Sequence, residues 1–171
     1  MLKFLLISLF TIVELNCENL FDCNHDSLKQ DTEYLPTSLH HWTKHRYWTK
    51  LDDISREIIS CGGEGSDWTA PDVVALCEVE NDSVLRDLTK RSLLRNAQYE
   101  YIMTDSPDER GIDVALLYSP FAFRLINHHS IRIKPIKDMR PYKRHLVCFR
   151  YDYIGRYSSY FCHTCTESVR R

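Results

Sequence analysis

Hydrophobic positions divide the chain into short blocks separated by polar segments. Residues 10–15 are apolar and β-branched and end at polar Asn16, which predicts a buried strand. Residues 22–43 hold Asn, Asp, Ser, Thr, Pro and His without a period and predict a long loop. Tyr47, Leu51, Ile54 and Ile58 then recur at steps of four, three and four. This spacing puts them on one helix face, and Gly62-Gly63 ends the run. Val73-Val74-Ala75-Leu76-Cys77 is an unbroken apolar run, the pattern of a strand covered on both faces, and Glu78 follows at its C-terminal end.

Asn81 or Asp82 can cap a helix running to about Leu94, with Val84, Leu85 and Leu88 inward. Strands are expected over residues 99–104 and 114–118, with a turn at Ser106-Pro107-Asp108 between them. Residues 121–126 and 130–133 read as two further strands in a hairpin-like stretch. The final thirty residues, 142–171, show little alternation and no clean strand. Helices alternating with strands imply an α/β chain built in layers.

Composition narrows the function classes. The 171 residues are 43% apolar and 27% charged, as in a globular domain with a core of its own. A formal charge of −2 without a basic run argues against tight non-specific binding to nucleic acid, which needs many Lys and Arg contacts to phosphate. Only five glycines are present, and no GxGxxG or GxxxxGK[ST] string occurs. Seven cysteines at irregular spacing do not form a secreted disulfide framework. Cys162 and Cys165 stand as CxxC with no second pair to complete a zinc site.

Residues 1–9 read in two ways. One positive charge and a short apolar stretch resemble an export signal, and the same residues could lead into the first strand. Cytoplasmic and exported locations therefore both stay open. The stretch is too short to span a bilayer, so no membrane span is expected.

Three polar positions carry candidate chemistry. Glu78, just past a fully buried strand, is suited to hold Mg²⁺, which takes one or two carboxylates and keeps several waters. The competing reading is a solvated loop glutamate, since Glu80 lies two residues on. Asn16, inside LNCENLFD, follows the first strand in the same way. Its amide can fix a phosphate oxygen or orient a carboxylate, and it can equally form a turn, an ambiguity shared by Glu18 and Asn19. In RGIDVALLY, Asp113 can orient a histidine and Arg110 can contact a phosphate, or the two can pair across a turn. His25, His40, His41, His45, His128 and His129 lack metal-ligand spacing and read as satisfied or solvated.

In this order and spacing, LNCENLFD, PDVVALCEVEN and RGIDVALLYSP resemble the endonuclease/exonuclease/phosphatase superfamily, over about residues 10–141. The resemblance implies the N-terminal half of a deoxyribonuclease I-like fold, a partial four-layer α/β/β/α sandwich. It also implies a divalent-metal-dependent phosphoester hydrolase using Mg²⁺ or Mn²⁺. The expected partner is a phosphoester substrate, with nucleic acid among the candidates, and no specific protein partner is expected. Glu78 would be the metal ligand, Asn16 and Asp113 catalytic residues, and Arg110 a substrate contact. In the family the metal polarises the phosphoryl oxygen, and an Asp/His pair activates water.

The family's later motifs, His-x-Pro-Ser, Gly-Asp-x-Asn and Asp-His, are missing. With suitable synonymous codons, reading one base later from Tyr142 gives TRDIL after Pro141. The codons of residues 155–171 then give GDTLHIFVIHAPSRSGG, which contains the missing histidine. The expectation is a one-base frameshift near Tyr142, which makes residues 142–171 an out-of-frame tail and the chain inactive or nearly so. For that reason His163 is not assigned the catalytic role. A second reading is a non-catalytic binding module that uses Trp42, Tyr47 and Trp48 as a contact surface.

Overall fold

The computed structural model describes residues 10–63, 68–132, 145–153 and 157–163, the last two segments as backbone only. Residues 1–9, including the signal-like start, lie outside the described residues.

Four strands form the first sheet: β1 (Ile12–Leu20), β2 (Val73–Val79), β3 (Glu100–Met103) and β4 (Asp113–Tyr118), in the order β1-β2-β4-β3. β1 runs parallel to β2, and β4 is antiparallel to both β2 and β3. The all-apolar run of β2 thus occupies an interior position, as its pattern predicts. Val73, Ala75 and Cys77 face one way, packing with Val114 and Leu116. Val74 and Leu76 face the other way, into a larger core.

That larger core is covered by helices α1 (Lys44–Ser60) and α2 (Asp82–Lys90). Tyr47, Leu51, Ile54 and Ile58 of α1 are buried on one face, as their spacing predicts. Asn81 caps α2 by accepting the Val84 N–H at 3.0 Å, and Val84, Leu85 and Leu88 point inward. The helix stops at Lys90 rather than near Leu94. Ser92 starts a separate 3-10 turn, Leu93–Ala97, by accepting the Leu94 N–H.

A second, antiparallel sheet has the order β5-β6-β7, from β5 (Phe123–Arg132), β6 (His145–Tyr153) and β7 (Tyr157–His163). Leu125 of β5 packs against the face of the first sheet turned away from the helices. Helix layer, sheet and sheet therefore follow one another among the described residues, as three layers of the expected sandwich.

Two expectations are corrected here. The described parts of the two expected strands, 121–126 and 130–133, belong to one strand, Phe123–Arg132, and residue 133 lies outside the described residues. The break in their pattern is a register shift between Leu125 and Asn127, and the hairpin partner is β6. Residues 142–171 do contain strands, β6 and β7. Their Val, Phe, Tyr and Cys content favours extended backbone even without strict alternation.

Candidate active site

The C-terminal ends of β1 and β2 are both irregular, and the two irregularities face each other. On β1, Asn16 pairs with Cys77 and Leu20 with Val79, so Cys17, Glu18 and Asn19 lie opposite Glu78 alone. On the other side, Cys77 pairs with Val114 and Val79 with Asp113, leaving Glu78 with no residue opposite it on β4. Glu78 is thus the extra residue of a β-bulge. The bulge reverses the alternation: the helix side takes Val74 and Leu76, then Val79. Without it, position 78 would face the helix core and put a carboxylate there.

The backbone at this corner is in a conformation that side chains disfavour. Glu18, Asn19 and Glu78 have φ of 50°, 63° and 62°. Such left-handed residues cost roughly 1 kcal/mol each, least for Asn, and persist only where neighbouring contacts enforce them. Three of the five such non-glycine residues among the described residues meet where the ends of β1 and β2 pair, so backbone strain is concentrated at this corner.

Hydrogen bonds tie the corner together. The Asn19 N–H donates to the Glu78 carboxylate (Oε2) at 3.0 Å, and Asn16 Oδ1 accepts the Glu18 N–H at 2.9 Å. Asn16 is exposed and Glu78 half-buried. Arg110 reaches in from the 104–113 segment, its Nη1 lying 3.5 Å from Asn19 Oδ1. Its salt bridge goes to buried Asp108, Nε to Oδ1 at 3.5 Å, in place of the alternative pairing with Asp113. Glu78, Arg110, Asn16 and Asn19 are therefore brought to one corner.

Asp113 is held differently. It is 6% exposed, and its Oδ1 accepts the Thr104 hydroxyl at 2.5 Å and the Ser106 N–H at 2.7 Å. Burial raises its pKa, opposed by these hydrogen bonds. Its carboxylate thus shapes the turn before β4.

Asp113 also lines a cleft of about 370 Å³ with Glu80, Asp26, Lys29 and Asp105. Glu80 is the group in this region that sequence reasoning used only as a reason to doubt Glu78. Its Oε2 accepts the Asp22 N–H at 2.7 Å. Burial pushes its carboxyl up to about 8, the Asp22 N–H bond opposes this, and Asp22, Asp31 and Asp26 add to it. Two acids spaced by one residue on a strand share a face, but the bulge at Glu78 breaks that rule. The separate surroundings of Glu78 and Glu80 could not be read from the alternation.

Of the six histidines considered in the sequence, His25 pairs through Nδ1 with buried Asp31, and His40, His41, His45, His128 and His129 are exposed. Among the described residues, no group of three His, Cys, Asp or Glu side chains forms a metal cluster. A single bulged carboxylate still suits Mg²⁺, which fills most of its octahedron with water and substrate oxygens. Among the described residues, Cys17, Cys23, Cys61 and Cys77 form no disulfide. No described helix is long and apolar enough to cross a membrane. Trp42 is 8% exposed and Tyr47 5% exposed, which removes two of the three aromatics from the alternative contact surface.

The chain resembles solved structures in fold. An endonuclease/exonuclease/phosphatase family protein from Bacteroides thetaiotaomicron superposes with a TM-score of 0.54 at 13% identity, covering 90% of this chain and 49% of that one. A mannosyl-6-phosphatase from the same species gives 0.53 at 14%, covering 90% and 50%. The human nocturnin catalytic domain gives 0.52 at 18%, covering 90% and 48%. The chain thus spans about half the length of these structures. No protein of curated function matches it in sequence. The sequence profile of the Endonuclease/Exonuclease/phosphatase family matches residues 11–153, and the α/β fold agrees with it. The chain belongs to the endonuclease/exonuclease/phosphatase family.

Proposed function

We propose that this chain carries the ion-binding corner of a divalent-metal-dependent phosphoester hydrolase. The observation that carries the reading is the bulge that turns the Glu78 carboxylate out of the sheet, at a φ of 62°. A carboxylate kept in a strained, half-exposed position beside a backbone amide suits a ligand more than a structural pair. Glu78 would hold Mg²⁺ or Mn²⁺, which supplies positive charge to a phosphoryl oxygen when bound. Arg110, aimed at the same corner by Asp108, would contact another phosphate oxygen, and the Asn16 side chain would orient either group.

Family membership and a phosphatase among the similar folds support phosphoester chemistry as the class. In this reading Asp113 acts by fixing the 104–113 segment that carries Arg110. We further propose that the reading frame changes near Tyr142, which would leave residues 1–171 with ion binding but without complete catalysis. The experiment is to assay Mg²⁺-dependent hydrolysis of bis(p-nitrophenyl) phosphate by this chain and by a frame-restored chain. Activity confined to the restored chain and lost with Glu78→Gln is the expected result. Equal activity of the Glu78→Gln form would refute the role of Glu78. A gene sequence whose shifted frame lacks Gly-Asp-x-Asn would refute the frame change.

A further inference from the structure

Lys50 lies on α1, thirty-one residues from Asn19 in sequence, yet its ammonium ends at the strained corner of β1. Its Nζ donates to the carbonyl of Glu18 at 2.6 Å and to that of Asn19 at 3.1 Å. These two carbonyls belong to the two consecutive left-handed residues of β1. The N–H of the second, Asn19, in turn holds the Glu78 carboxylate at 3.0 Å. A continuous chain of contacts thus runs from α1 through the bulge to the carboxylate.

We propose that Lys50 is a positioning residue: it clamps the Glu18–Asn19 turn so that the Asn19 amide aims the Glu78 carboxylate at its ion. The inference rests on the reading of Glu78 as the metal ligand and adds how that ligand is held. Several observations favour a clamp over an ordinary surface lysine. The ammonium is half-buried, and its stem crosses the Trp42 ring with Nζ 5.5 Å from the centroid. Trp42 is itself fixed, with its indole N–H donating to the Phe21 carbonyl at 3.0 Å. Lysine has three donors, and two of them go to successive carbonyls that a regular strand would point in opposite directions. Two left-handed residues in a row turn both carbonyls toward one cation, so the strain and the ammonium account for each other.

A clamp and a mere neighbouring charge predict opposite outcomes. A bystander cation repels a bound metal ion, so removing it tightens binding. A clamp orients the ligand, and outer contacts of this kind are worth about tenfold or more in metal affinity. The test uses the full chain and its Lys50→Met, Lys50→Arg and Glu78→Gln forms, with two readouts.

The first readout is amide hydrogen exchange. Lys50→Met should speed exchange at Asn19 by about tenfold while Leu76 and Leu116 keep their protection, and Lys50→Arg should restore most of it. Unchanged exchange at Asn19, or equal acceleration throughout the core, overturns the proposal. The second readout is Mn²⁺ affinity, which Lys50→Met should weaken by about tenfold; unchanged or tighter binding overturns it. Loss of Mn²⁺ binding in Lys50→Met but not in Glu78→Gln would instead sink the Glu78 reading, while exchange at Asn19 still decides the clamp. Should Lys50→Met fail to fold, the wild-type chain supplies the measurement. A clamped ammonium gives a slowly exchanging ¹⁵N signal with NOEs to Asn19, and absence of that signal overturns the proposal.

Discussion

Glu78 and Asp113 are two carboxylates at neighbouring strand ends, since Asp113 pairs with Val79, the residue after Glu78. They are held in opposite ways. Asp113 is buried and accepts a hydroxyl and an amide at one oxygen, within a turn closed by the Ser106 hydroxyl donating to the Ile112 carbonyl and the Arg110 N–H donating to Asp108. Glu78 is half-buried, accepts the Asn19 amide and sits on a strained backbone. A carboxylate that completes a turn lowers the energy of the fold, and one held in a bulge costs it. Under the proposed reading the contrast sets an acid that holds a turn beside a candidate metal ligand, although both flank an apolar strand in sequence.

The largest expected effect breaks the structural member. Asp113→Ala leaves the Ser106 N–H buried without its acceptor and the Thr104 hydroxyl with only the Val114 carbonyl at 3.3 Å, and should cost about 2 kcal/mol in urea unfolding. A loss below about 1 kcal/mol would show that the turn does not depend on Asp113. The same measurement on Glu78→Gln, which keeps an acceptor for the Asn19 amide, should change stability by less than about 0.5 kcal/mol.

The next effect concerns pH. Glu80 is raised from 4.5 to about 8 in the folded chain. Between those values the folded state holds a proton that the unfolded state has released, so stability falls as pH rises through this window. The raised Asp113 carboxyl adds a contribution of the same sign. Glu80→Gln removes its share, so its stability curve should be flatter by about 1–2 kcal/mol across pH 4.5 to 8. A slope identical to that of the wild type would mean that Glu80 is ionised at neutral pH.

A small effect sharpens the comparison at the exposed edge of the site. Asn16→Ala removes the acceptor of the Glu18 N–H, an exposed contact, and should cost about 0.5 kcal/mol. A loss as large as that of Asp113→Ala would make Asn16 a structural residue instead.

The sequence made the frame of this site legible where burial follows a period. Val73–Val79 reads as an interior strand because every position to Cys77 is apolar, and α1 because Tyr47, Leu51, Ile54 and Ile58 share a face. Asn16, Glu78 and Arg110 were therefore singled out by position and motif, and the structure places them at one corner. The bulge was not legible, since its left-handed positions are filled by Glu18, Asn19 and Glu78 rather than glycine. Lys50 was invisible because its partners lie across the helix–sheet interface, and nothing local to α1 distinguishes it from a surface lysine. The alternative binding-module reading put Trp42 at a contact surface, but it packs under Tyr34 and the α1 cations, with the Tyr34 and Trp42 rings 6.1 Å apart at 88°. Side-chain type alone could not show that burial.

The most direct test of the contrast between the two acids is a Mn²⁺ titration of the wild type, Glu78→Gln and Asp113→Asn, read by Mn²⁺ EPR under conditions where all three are folded. The account predicts that Glu78→Gln abolishes binding, while Asp113→Asn keeps it within about threefold, because one carboxylate is the ligand and the other holds a turn. Binding that survives Glu78→Gln and disappears in Asp113→Asn would contradict it.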